Sequence, residues 1–175
     1  MDRVGNMMGG RLLASVIPVM CGIIGAFVDN LPISIMGPWV PSPLFSLMPL
    51  YYWCLVRPDL MTPAWAFLIG ATEDILSGGP PGVWAASFVA TYAIVDRQRD
   101  AFAGLSGWGA MLGFATAALV ACSTAYAIML IHQWSLLPLT PVLGTFAMTV
   151  LFYAIAAVVL GAVHHRLVGP MRSDF

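Results

Sequence analysis

The sequence predicts an all-α integral membrane protein, a single transmembrane domain over 1–175 folded as a compact bundle of six helices with both termini cytoplasmic. Three observations predict it. Of the 175 residues, 60% are hydrophobic and 9% charged, whereas an ordinary soluble domain carries roughly 25% charged residues. The apolar residues gather into six runs approaching the ~20 residues that cross a ~30 Å hydrocarbon layer. The seven cations, all arginines, flank these runs on one side only, as cytoplasmic flanks do.

The first run, near 12–28, follows Arg3 and Arg11 and is bent by Pro18. Its length and the lack of a small-residue cleavage site make it a retained signal anchor rather than a cleaved leader. The second, 43–56, opens at Pro43, contains Pro49 and is followed by Arg57. The third, 60–76, has Pro63 near its start, where a missing N–H costs least, and ends among acids. The fourth, 82–95, leads to Arg97 and Arg99.

The fifth run, 105–131, carries Gly109, Gly113, Ala117, Ala121 and Ala125 at intervals of four, a ridge of small residues along one helix face. It packs within the bundle or docks a partner helix. The sixth, 140–163, precedes His164, His165, Arg166 and Arg172. The opposite connections, 30–41, 78–81 and 132–138, hold no arginine. Tryptophans mark both interfaces: Trp53, Trp65 and Trp108 fall on the cytoplasmic side, Trp39, Trp84 and Trp134 on the outside. Any one of these rings serves as a headgroup anchor or as a core anchor. The proline-rich stretch 31–43 is neither a good helix nor very polar, and lies on the membrane surface or under a partner. No internal repeat is evident.

This composition excludes several functions. Six spans leave no room for a separate soluble catalytic domain, and a net charge of -1 excludes a basic nucleic-acid surface. Cys21, Cys54 and Cys122 sit in apolar runs and lack metal-type spacing. His132, His164 and His165 are interfacial. There is no HExxH, GxSxG or Walker loop, so neither enzyme activity nor a metal or cofactor is expected.

The most unusual local feature is the acidic pair Glu73-Asp74 at the outer end of the third run, before Ser77, Gly78 and Gly82. A charge at membrane depth is costly and demands compensation. Neighbouring helix positions diverge by about 100°, so the two acids face different targets. Asp74 shares a face with Ala66, Gly70 and Ser77, and Glu73 shares one with Ile69 and is free to reach the headgroups. Three readings compete for Asp74: bonds to backbone N–H groups of the Gly78-Gly79 turn or to a hydroxyl, a partner contact, and an ion or proton site. Asp29, closing the first run on the same side, is its other candidate neighbour.

Pro43, the pair Tyr52-Trp53 and Pro58, followed by Gly70-Ala-Thr-Glu-Asp74-Ile-Leu-Ser77-Gly78 and Gly82, resemble the pattern of the rod shape-determining protein MreD family. The resemblance covers about forty residues of the first half. Glu73 beside the motif acid and the doubled Pro80-Pro81 depart from it. It implies a non-enzymatic scaffold of the elongation machinery in the bacterial inner membrane, multi-pass, without cofactor. Its implied partners are an MreC-like protein, the lipid bilayer and, indirectly, the MreB filament, RodA and a penicillin-binding transpeptidase, with no nucleic acid. The fold implied is similar to the six-helix substrate-binding subunits of energy-coupling-factor vitamin transporters. That likeness supplies the alternative, a vitamin-transport subunit with an outward cavity of several hundred Å³ lined by Asp29, Asn30, Glu73, Asp74 and Thr91. A proton-coupled carrier requires deeper ionisable groups than the runs contain.

Overall fold

The computed structural model describes residues 2–31, 42–103, 108–134, 137–164 and 166, with side chains from residue 16 onward in the first helix. All regular structure among them is helical: α1 (Asp2–Asp29), α2 (Leu47–Val56), α3 (Pro63–Ser77), α4 (Val83–Arg97), α5 (Arg99–Ala103), α6 (Trp108–Gln133) and α7 (Leu139–Val163). Six of them follow the six apolar runs in order. The short α5 is an addition, in the connection after the fourth run.

Among the described residues, two helices, over Gly109–Gln133 and Leu139–Val163, are long and apolar enough to cross a membrane by themselves. α2, α3 and α4 are shorter. At 1.5 Å per residue, the ten residues of α2 span only about 15 Å and the fifteen of α3 or α4 about 22 Å.

The second run begins differently from expectation. Pro43 does not open a helix, because α2 starts at Leu47. Residues before it are held by other helices: the Leu44 N–H donates to Thr149 Oγ1 at 2.9 Å, and the N–H groups of Phe45 and Ser46 donate to Asp29. The third run starts later than 60, since Arg57 pairs in two hydrogen bonds of 3.0 Å with Asp59 across a turn holding Pro58. Pro63 then occupies the first helical position, behind Thr62 as N-cap.

α2 is apolar all round and is enclosed by protein. Leu47, Met48, Leu50, Tyr51, Trp53 and Cys54 are all fully buried, as expected of a helix without a polar face. Around it, Phe114 of α6 stacks on Tyr153 of α7 with ring centroids 3.9 Å apart, and Tyr51 meets both edge-on. Along α6 the ridge residues Gly113, Ala117, Ala121 and Ala125 are buried and Gly109 is half-buried, while α6 packs principally on α4 and α7. Trp53 takes the core role of the two open to it: it is buried, edge-on to His164.

The outward faces are apolar too. Val16, Met20, Ile24 and Phe27 of α1 and Leu143, Leu151, Ile155 and Val158 of α7 are exposed, apolar faces suited to lipid. Helices joined by short connections run antiparallel, which gathers Arg57, Arg97, Arg99 and Arg166 at one end of the bundle and Asp29, Glu73 and Asp74 at the other. Most of the segment 31–43 lies outside the described residues, as do Trp39, His165 and Arg172 and the side chains of Arg3, Arg11 and Trp108.

Candidate functional site: two carboxylate clasps beside a cavity

The start of α4 lacks a cap of its own. Its N-cap is Gly82, at φ 94°, which has no side chain to accept from the exposed N–H groups of the first turn. Asp74 of α3 supplies the acceptor from outside the helix. Its carboxylate receives the Gly82 N–H at 2.9 Å, the Trp84 N–H at 2.8 Å and the Ala85 N–H at 3.1 Å. A negative group here also complements the positive end of the α4 dipole.

Gly70, one turn earlier on α3, makes this reach possible. A Cβ on Gly70 would lie 2.5 Å from the Trp84 carbonyl oxygen and 2.6 Å from Ala85 Cα, so only glycine allows the two backbones to close. Gly78 ends α3 in the left-handed region at φ 63° and turns the chain back. Asp74 is therefore a backbone N–H acceptor, with the correction that its donors belong to the first turn of α4 and not to Gly78-Gly79. The Ser77 hydroxyl donates to the Asp74 carbonyl at 3.3 Å and leaves the carboxylate alone.

The candidate motif residues do not form one site. Pro43, Gly70, Asp74, Ser77, Gly78 and Gly82 lie at the acidic end, whereas Tyr52, Trp53 and Pro58 lie at the arginine end, where the Tyr52 and Trp53 rings meet edge-on at 5.6 Å.

A second clasp was not anticipated. Asp29 Oδ1 accepts the Phe45 N–H at 2.6 Å, and Oδ2 accepts the Ser46 N–H at 3.0 Å and the Ser46 hydroxyl at 2.7 Å. One turn before it, a Cβ on Gly25 would lie 2.7 Å from the Phe45 carbonyl oxygen and 2.8 Å from Ser46 Cα. Phe45 and Ser46 thus stand to Gly25 and Asp29 as Trp84 and Ala85 stand to Gly70 and Asp74. The expectation of no internal repeat is corrected: α1 with α2 and α3 with α4 repeat one joint. The signal available was Gly-x-x-x-Asp, present at 25–29 and again at 70–74.

Glu73 is also corrected. It does not reach outward but is buried at 3% exposure. Ile69, on the same face, lies against Gly22 of α1, which brings Glu73 one turn further on to Asn30. The Asn30 amide donates to Glu73 Oε1 at 2.8 Å and to the Ala26 carbonyl at 2.9 Å. Glu73 Oε2 is buried without a hydrogen-bond partner among the described residues.

These groups border a cavity of about 460 Å³. Asp29, Asn30, Glu73 and Asp74 contribute to its lining, and the Tyr126 hydroxyl, donating to the Leu137 carbonyl at 3.0 Å, braces the far wall. Thr91, the fifth candidate, lies elsewhere: it is buried and its hydroxyl donates to the Ser87 carbonyl at 2.8 Å.

No family model matches the chain, and no solved structure gives a significant match. Among curated proteins it is similar to the rod shape-determining protein MreD of Haemophilus influenzae, 28% identical over 78 aligned residues that cover 42% of this chain and 48% of that protein. The match thus spans about half the length of the relative. Together with the Gly70 to Asp74 motif, this similarity supports a relationship between the chain and the MreD family.

Proposed function

We propose that the protein is a non-enzymatic scaffold of the bacterial elongation machinery, maintaining rod cell shape and peptidoglycan synthesis by binding an MreC-like partner in the inner membrane. The similarity to a shape-determining protein carries this reading. On it, α1, α2, α3, α4, α6 and α7 are the six spans, the arginine end is cytoplasmic and the acidic end faces outward. The clasps give such a scaffold its rigidity: each fixes the start of one helix against the end of the helix before it, so the exposed apolar faces keep one shape for a partner to read. Gly70 and Asp74 then support the partner surface from beneath rather than touching it.

The test is replacement in a rod-shaped bacterium depleted of its own MreD, scored by cell width, combined with co-purification of the MreC-like protein. The wild-type chain restores rods and retains the partner, and Gly70→Leu and Asp74→Ala lose both. Retention of the partner by both variants at wild-type levels removes these residues as determinants of binding. Rods that never return with the wild-type chain remove the shape-determining role.

A further inference from the structure

We infer that the cavity at the acidic end binds a small organic cation, an ammonium or guanidinium group carried on an apolar body, with Glu73 as its counter-charge.

The argument starts from what the carboxylates are already doing. Asp29 and Asp74 each accept three hydrogen bonds from the starts of α2 and α4, so most of their acceptor capacity is already used within the fold. Glu73 is different. It is 3% exposed, it lines the cavity, its Oε1 accepts from Asn30, and its Oε2 has no hydrogen-bond partner among the described residues. Glu73 lies within hydrogen-bond reach of Asp29, so a proton shared between the two carboxyls is what an entering cation has to displace. A buried carboxylate oxygen without a donor is an unmet demand, and the donor that best meets it is cationic.

The remaining walls set the rest of the ligand. Leu44, Trp84, Met129 and Val142 present apolar surface, and Trp84 brings an aromatic ring to the lining, a residue type that favours cations. Among the described residues the lining includes no arginine, lysine or histidine. A carboxylate or phosphate ligand would thus meet three acids and no counter-charge, and the site discriminates against anions by repulsion as much as it selects cations. A volume of about 460 Å³ is within the range of small-molecule pockets. The exposed Ser42, Gly79 and Pro141 in its lining give it a mouth at the surface. The inference is independent of the shape-determining role, since it uses only the chemistry of the cavity.

The test uses the full chain purified in detergent and three probes with one aromatic body and different heads: 2-phenylethylammonium, 2-phenylethanol and 3-phenylpropionate. The shared ring holds the apolar body constant, and the requirement that the shift saturate separates site binding from partition into micelles. The expected result is a saturable rise in the unfolding midpoint, at least about 3 °C, with the ammonium alone. Glu73→Gln, which keeps the Asn30 bond, abolishes that rise, and Val142→Trp, which fills the cavity without altering a carboxylate, abolishes it independently. Equal shifts from all three heads, an ammonium shift that survives either variant, or no saturable ammonium shift in the wild type overturns the inference. The last result means that Glu73 is satisfied internally, by a proton shared with Asp29. If Glu73→Gln does not fold, Val142→Trp and the head-group series decide the matter.

Discussion

Asp29 and Asp74 hold the starts of α2 and α4 in one register, yet the chain between carboxylate and target differs. Asp74 reaches Gly82 eight residues on, across a turn shaped by Gly78. Asp29 reaches Phe45 sixteen residues on. Doubling a loop adds only about 0.6 kcal/mol of closure entropy, so the longer joint is nearly as favourable as the shorter one. The donors differ as well. Asp74 takes three backbone N–H groups, while Asp29 takes two and the Ser46 hydroxyl, which points to Asp29 and not to its own helix. What makes a joint visible in sequence, a short gap filled with glycine, is not what makes it strong.

The largest expected effect comes from closing the gap that both joints need. Gly25→Leu and Gly70→Leu each drive a side chain into backbone atoms that have nowhere to go, and each should cost more than about 4 kcal/mol, read as loss of monodisperse protein in size-exclusion chromatography. Gly22→Ala is the control. Its neighbours are side-chain atoms of the buried Ile69 and not backbone, so it should cost about 2 kcal/mol, and equal damage from all three would dissolve the distinction between a joint and an ordinary helix contact.

Next come the carboxylates. Asp29→Ala and Asp74→Ala each orphan three buried or half-buried donors, at about 3 kcal/mol apiece in denaturant unfolding of the detergent-solubilised protein. If Asp29→Ala costs less than a third of Asp74→Ala, the two joints are alike in geometry only. Ser46→Ala removes one charge-assisted bond and should cost about 1.5 kcal/mol, with no counterpart at Ala85. Gly78→Ala has room for its Cβ but must hold φ near 63°, a strain of about 1 kcal/mol. Thr62→Ala, far from both joints, loses a long 3.4 Å cap bond to Trp65 and should lower stability by about 0.5 kcal/mol.

Much of the architecture was legible in the sequence because hydropathy and charge are properties of runs. The six apolar runs, the collection of arginines at one end and the small-residue ridge on α6 need no knowledge of contacts. Asp74 was half legible, since a carboxylate in an apolar helix must find donors, but which N–H groups it meets depends on how closely Gly70 lets α4 approach. Asp29 was illegible because its target lies beyond a long connection, and its role emerges only when Gly25 is seen against Phe45. Glu73 was misread for a similar reason: its direction follows from Ile69 lying on Gly22, a contact between helices that periodicity within α3 cannot report.

The brevity of α2 bears on how the protein is made. Ten residues reach across about half of a bilayer's hydrocarbon layer, and the N–H groups ahead of them end at a carboxylate belonging to the preceding helix. Apart, each partner is a poor guest for lipid: α1 would carry a bare charge and α2 a ragged polar start. Together they form a closed hairpin that lipid accepts. On the proposed membrane reading, α1 and α2 are therefore expected to enter the bilayer together, as one body.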